Sequence, residues 1–131
     1  MMDGMWNTIR PDVLKGLREN AHTRRLIITG ISLGGALSCL SYVDIIKAEI
    51  FDSVEIITFG APRVGNRKWA NWFDYLTSST TYWRYFIARD PIAFLPRCLT
   101  PICNYKQTGQ SIRCTKGDQT CTFRNRAGEQ D

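Results

Sequence analysis

Arg25-Leu26-Ile27-Ile28-Thr29-Gly30-Ile31-Ser32-Leu33-Gly34 decides how this chain is read. Residues 25–29 form a short continuous apolar run, the pattern of a strand covered on both faces. Gly30-Ile31-Ser32-Leu33-Gly34 then fits G-x-S-x-G, and Ala36, Leu37, Leu40, Val43 and Lys47 step along a helix. On its own the pentapeptide is a weak signal, because a tight glycine-rich turn produces it without any chemistry. Standing directly between a buried-type strand and a helix, it is what a nucleophile elbow demands. Glycines at 30 and 34 are expected to relieve crowding in a sharp turn. Ser32 is then expected to project from the C-terminal end of the strand at the positive end of a helix, with the Leu33 backbone N–H available to a developing oxyanion.

The same alternation extends both ways. Upstream, Met5, Trp6, Ile9, Val13, Leu14 and Leu17 recur at three- and four-residue steps, one face of a helix that accommodates Pro11 at a turn or kink. Downstream, residues 54–59 predict a second strand, 66–76 a helix with Trp69, Trp72, Phe73 and Leu76, and 81–88 a third strand ended by Asp90-Pro91. Helix and strand alternating three times predict a parallel sheet with crossover helices. Beyond Pro96 the texture turns to Gly, Thr, Gln, Cys and Arg. The expected organisation is therefore an α/β core over residues 1–96 with about three parallel strands, and an irregular, basic, Cys-containing tail over 97–131 with room for a short hairpin.

Length and composition set bounds on this reading. The 131 residues include 17 Lys+Arg against 12 Asp+Glu, a formal charge of +5, with 44% hydrophobic and 22% charged residues. That is the balance of a globular protein with one domain at most. No apolar run approaches a membrane span, and Met1-Met2-Asp3-Gly4-Met5-Trp6 shows no signal peptide. The charge is scattered and comes without a nucleic-acid-binding motif, so no nucleic acid partner is expected.

Asp90 follows the third strand and so is expected at the same sheet edge as Ser32, where sites assemble in parallel sheets. An acid there can orient the imidazole of a triad; Asp before Pro is also a common way to start a turn. His22, the only histidine, precedes the first strand. About 3.3 Å per residue over the strand puts it roughly 16 Å from Ser32, far beyond a hydrogen bond, so it is not expected to act as general base. Cys39 is expected inside, as a small hydrophobe on the helix after Ser32. Cys98, Cys103, Cys114 and Cys121 have C-x4-C and C-x6-C spacings that do not suit zinc. They allow three disulfide pairings or free thiols, and leave the compartment open. Neither a metal nor a cofactor is expected.

Three ordered segments over residues 4–96 resemble the class 3 lipases, fungal-type triacylglycerol lipases of the α/β-hydrolase fold. They are Leu26 to Leu37, Thr58-Phe59-Gly60-Ala61-Pro62-Arg63-Val64-Gly65-Asn66, and Asp90-Pro91-Ile92-Ala93-Phe94-Leu95-Pro96. The resemblance implies a lipase-like serine hydrolase of carboxylic, acylglycerol esters, with a lipid ester as substrate and contact with lipid surfaces. It implies Ser32 as nucleophile, Asp90 as triad acid and the Leu33 N–H as oxyanion donor, in a family that is often secreted. Two departures stand out: Ile31 occupies a position that is usually His, and nothing from Pro91 to Asp131 supplies the catalytic His. The chain is thus expected to be a partial hydrolase core whose open sheet edges invite self-association. The alternative expectation is a catalytically inactive lipase-like binding module.

Overall fold

The computed structural model describes residues 2–97, 104–117 and 120–124. Helix α1 (Met2–Glu19) leads into strand β1 (Arg25–Ile31), helix α2 (Leu33–Lys47) and strand β2 (Ser53–Phe59). A two-residue strand β3 (Gly65–Asn66), helix α3 (Arg67–Leu76) and strand β4 (Tyr82–Ile87) follow, then a 3-10 turn over Ile92–Phe94. Three further strands complete it: β5 (Tyr105–Lys106), β6 (Gln110–Cys114) and β7 (Cys121–Arg124).

The main sheet has the order β1-β2-β4-β6-β7. Its first four strands are parallel, and β7 closes the far edge antiparallel to β6. The sheet is thus larger than the expected three strands, and the tail is not irregular where it is described. Strand β6 satisfies the outer edge of β4, and the β6–β7 hairpin is closed by a Cys114–Cys121 disulfide. Polar residues conceal this strand from a hydropathy reading: in Gln110-Ser111-Ile112-Arg113-Cys114, Ser111 is buried because its hydroxyl accepts from the buried Arg84 guanidinium at 2.7 Å. Cys98 and Cys103 lie outside the described residues.

The helices pack on one face of the sheet. Cys39, Tyr42 and Ile45 of α2 and Phe73 of α3 meet Val54, Ile56 and Tyr82 from the strands, with Leu14 and Leu17 of α1 packed alongside. Helix α3 starts cleanly because the Asn66 side-chain oxygen accepts from the Trp69 N–H at 2.8 Å. Trp69 then stacks on Phe73 with ring centroids 4.9 Å apart. The expectation that β1 is covered on both faces is corrected. Its residues alternate exposed and half-buried, since helices cover the Leu26 and Ile28 side while Ile27 and Ile31 stand open. A continuous apolar run was the wrong cue there, because burial on the second face requires a second layer that the described residues do not contain.

Candidate active site

Ser32 occupies the junction between β1 and α2 at φ 52°, ψ −123°. A non-glycine residue in this half of conformational space carries strain of about 1–3 kcal/mol, and such strain gathers at functional turns. The turn is held from two sides. The Ser32 N–H donates to the Phe59 carbonyl at 2.8 Å, tying the elbow to the end of β2, and the Ser32 carbonyl accepts from the Gly35 N–H at 3.0 Å. The Ser32 residue itself remains exposed.

The glycines divide the work differently from the expected pattern. A Cβ on Gly30 would lie 2.3 Å from the carbonyl carbon and oxygen of Gly34, so the strand end and the first helical turn touch backbone to backbone. A Cβ on Gly34 would meet nothing within 4 Å. The second close approach belongs to Gly35, whose Cβ would come within 2.7 Å of the Ala61 side chain. Sequence reasoning missed Gly35, although the doubled glycine after the serine was a visible signal. Leu33 opens α2, where the first N–H groups have no partner within the helix.

Asp90 follows β4 at the same sheet edge. Its Oδ1 accepts from the Ile92 N–H at 2.9 Å, an Asx turn that starts the 3-10 segment. One oxygen thus organises the loop, while Oδ2 lies toward Gly60. Gly60, at φ 59°, is required twice, by its backbone and because a Cβ there would sit 3.1 Å from Asp90 Oδ2. Ser32 and Asp90 line one cavity of about 410 Å³, together with apolar Ile31, Phe59, Ile87 and Ile92. Ile31, Phe59, Tyr85 and Ile112 are successive register partners, so an apolar row crosses the sheet beside the serine.

Two residues that sequence reasoning missed anchor the Asp90 segment. The Gln107 side-chain amide donates to the carbonyls of both Ala61 and Ala93, joining the turn after β2 to the turn after β4. The Arg63 N–H donates to the Leu95 carbonyl at 2.7 Å, and its guanidinium donates to the Pro96 carbonyl at 3.1 Å. Arg63 stood within a quoted motif; Gln107 carried no signal, because its partners are backbone atoms distant in sequence.

His22 is exposed in the loop before β1, at the opposite end of the sheet from Ser32. The seven residues of β1 intervene, a span of about 20 Å, so His22 does not join the site. Cys39 is fully buried on α2 with its thiol 3.0 Å from the Tyr82 hydroxyl, and burial pushes its pKa up to about 11. It is inert filling behind the elbow, as expected. Among the described residues, no three His, Cys, Asp or Glu side chains cluster as a metal site.

A parallel sheet whose first strand passes through a strained serine into a helix, with an acid at the same edge, defines the α/β-hydrolase fold. The family model described as Lipase (class 3) matches residues 1–100, and the chain belongs to that family. It is 30% identical over 126 residues to secreted mono- and diacylglycerol lipase 2 of Gibberella zeae, covering 88% of this chain and 30% of that relative. It is 29% identical over 89 residues to the secreted mono- and diacylglycerol lipase MDL3 of Malassezia globosa, covering 63% of this chain and 29% of the relative. Among solved structures, lipase II from Rhizopus niveus superposes with a TM-score of 0.74 at 25% identity, over 93% of this chain and 45% of that one. The chain thus spans less than a third of these curated relatives and less than half of that structure.

Proposed function

We propose that these residues form the nucleophile-bearing part of a serine ester hydrolase acting on acylglycerols. The observation that carries this reading is the strained Ser32 sharing one apolar cavity with Asp90 at the C-terminal sheet edge. Ser32 Oγ attacks the ester carbonyl while an imidazole takes its proton. The Leu33 N–H donates to the resulting oxyanion, and the imidazole returns the proton to the departing glycerol oxygen. Water then releases the acyl group by the same sequence. In this reading Asp90 Oδ2 orients the imidazole, which the engagement of Oδ1 by the Ile92 N–H supports. His22 lies at the wrong end of the sheet, so the imidazole comes from outside these 131 residues.

The relatives' names support acylglycerols as substrates and secretion as the destination. The Cys114–Cys121 disulfide supports an oxidising compartment. A second reading, an inactive lipase-like binding module, is favoured only by the distance of His22 from Ser32. A fluorophosphonate probe with and without free imidazole as a substitute base separates the two. The hydrolase reading expects slow labelling that imidazole accelerates and that Ser32→Ala abolishes. Absence of labelling in both conditions, or labelling that survives Ser32→Ala, favours the binding module.

A further inference from the structure

The two faces of helix α3 (Arg67–Leu76) follow different rules. On the inner face Ala70 and Phe73 are buried, and the Phe73 ring meets Tyr42, Trp69 and Tyr82. Lys68, Asn71, Trp72 and Tyr75 recur at helical spacing, which sets them in one stripe on the opposite side. All four are exposed, Trp72 by 45% and Tyr75 by 80%. The outer face of a surface helix is ordinarily polar, so two adjacent aromatic rings left in water there need a reason. The charge around them has one sign. Arg67 and Lys68 are exposed, Arg67 donates to Asn104 Oδ1 at 3.2 Å, and Lys106 Nζ donates to Asn71 Oδ1 at 2.9 Å. Asp74 is the one acid in β3, α3 and β5, and its Oδ1 accepts from the Gly109 N–H at 2.9 Å.

From this juxtaposition we infer that the outer face of α3 binds an acidic polysaccharide, a chain of pyranose rings bearing carboxylates. A pyranose ring presents a face of C–H groups that packs flat on an aromatic ring, while its hydroxyls need polar partners at the edge. Trp72 and Tyr75, with Cβ atoms about 5–6 Å apart on the helix, supply two neighbouring platforms. Lys106 engages Asn71 Oδ1, which leaves the Nδ2 hydrogens to donate to sugar hydroxyls. Arg67, Lys68 and Lys106 meet the carboxylates. A single-stranded nucleic acid also combines stacking with positive charge. Trp69 and Trp72, however, are tilted by 56° and form no slot for a base, and the Cys114–Cys121 disulfide favours a compartment in which polysaccharides are the anionic polymers at hand. A membrane would call for aliphatic side chains to enter its acyl layer, and the stripe has none. The inference stands apart from the hydrolase reading, because neither Trp72 nor Tyr75 lines the cavity of Ser32.

The test is isothermal titration calorimetry of the 131-residue chain with oligogalacturonates, neutral maltooligosaccharides and oligothymidylate. Oligogalacturonate is expected to bind most tightly, and its binding is expected to weaken as salt shortens the screening length. Tyr75→Ala and Trp72→Ala should each weaken it about two- to tenfold, whereas Tyr75→Phe, which keeps the ring, should retain most of the affinity. Lys68→Gln should cost about threefold. Lys47→Gln, with the same net charge but changed on α2, should bind as the parent does. Circular dichroism confirms that each variant is folded, which the exposure of Tyr75 leads us to expect. Ser32→Ala should bind normally, so a failed hydrolase reading leaves this result standing. No binding of oligogalacturonate, equal binding of the neutral sugar, tighter binding of oligothymidylate, undiminished affinity in the two alanine variants, or equal losses in the two lysine variants overturns the inference.

Discussion

Side chains one atom different in size report on the elbow. Gly30→Ala drives a methyl group into the Gly34 carbonyl, which is backbone and cannot swing aside. We expect a loss of about 2–3 kcal/mol or more in urea unfolding. Gly34→Ala has open space, because the helix there borders a void of about 230 Å³ lined by Trp6, Ile9 and Leu37. That variant should be neutral or more stable by up to about 1 kcal/mol through helix propensity. Cys39 provides a pH prediction. Its thiol is held neutral by burial, ordinarily titrating near 9.0 but raised to about 11. The unfolded state therefore releases this proton first as pH rises, so the stability it contributes is complete below pH 9 and is lost toward pH 11. Tyr82, raised by the same burial, acts in the same direction. Urea midpoints should fall across that window, and a maleimide should reach Cys39 only on unfolding.

The elements around the site depend on the tail more than its texture suggests. Strand β6 runs beside β4, and the Cys114 carbonyl accepts from the Ala88 N–H at 2.7 Å, two residues before Asp90. The disulfide to Cys121 closes a short loop, an effect worth about 2–3 kcal/mol. Replacing both cysteines with serine should lower stability by about that amount, with amide exchange accelerated in β6 and β7 before β1 and β2. Gln107→Ala should cost about 1–2 kcal/mol by leaving the Ala61 and Ala93 carbonyls without this donor. Its signature is faster amide exchange at Ile92, whose N–H is held by Asp90 Oδ1. Unchanged exchange there would mean that the Asp90 turn stands without the clamp.

On the scale of the whole molecule, one face of the sheet carries the helices and the other presents Ile27, Ile31, Phe59, Ile87 and Phe123 to solvent among the described residues. Among the described residues β1 also ends the sheet order, with β2 as its one neighbour. Apolar exposure on this scale marks a surface that is covered in use, and an unpaired strand is a template for another. The 131-residue chain should therefore associate reversibly as concentration rises in sedimentation velocity. Ile27→Lys on the edge strand should shift it toward monomer, because the charge is tolerated at an exposed position but not within a pairing interface.

Apart from the two-residue β3, the order of elements from α1 to β4, the elbow at Ser32 and the shared edge of Ser32 and Asp90 were legible in the sequence. Each is written in local terms: apolar period, glycine punctuation, and the rule that parallel strands end on one side. Exclusion of His22 followed from the same arithmetic. Tertiary structure alone decided the rest, because it depends on contacts between residues far apart in the chain. Gln107 matters through two carbonyls, one 46 and one 14 residues away. Polar Ser111 is buried within β6 because Arg84 reaches it, and Gly60 is constrained by a carboxylate thirty residues downstream. The open face of β1 was illegible for the converse reason: an apolar run states that burial is favourable, and only the assembled layers show whether anything is there to provide it.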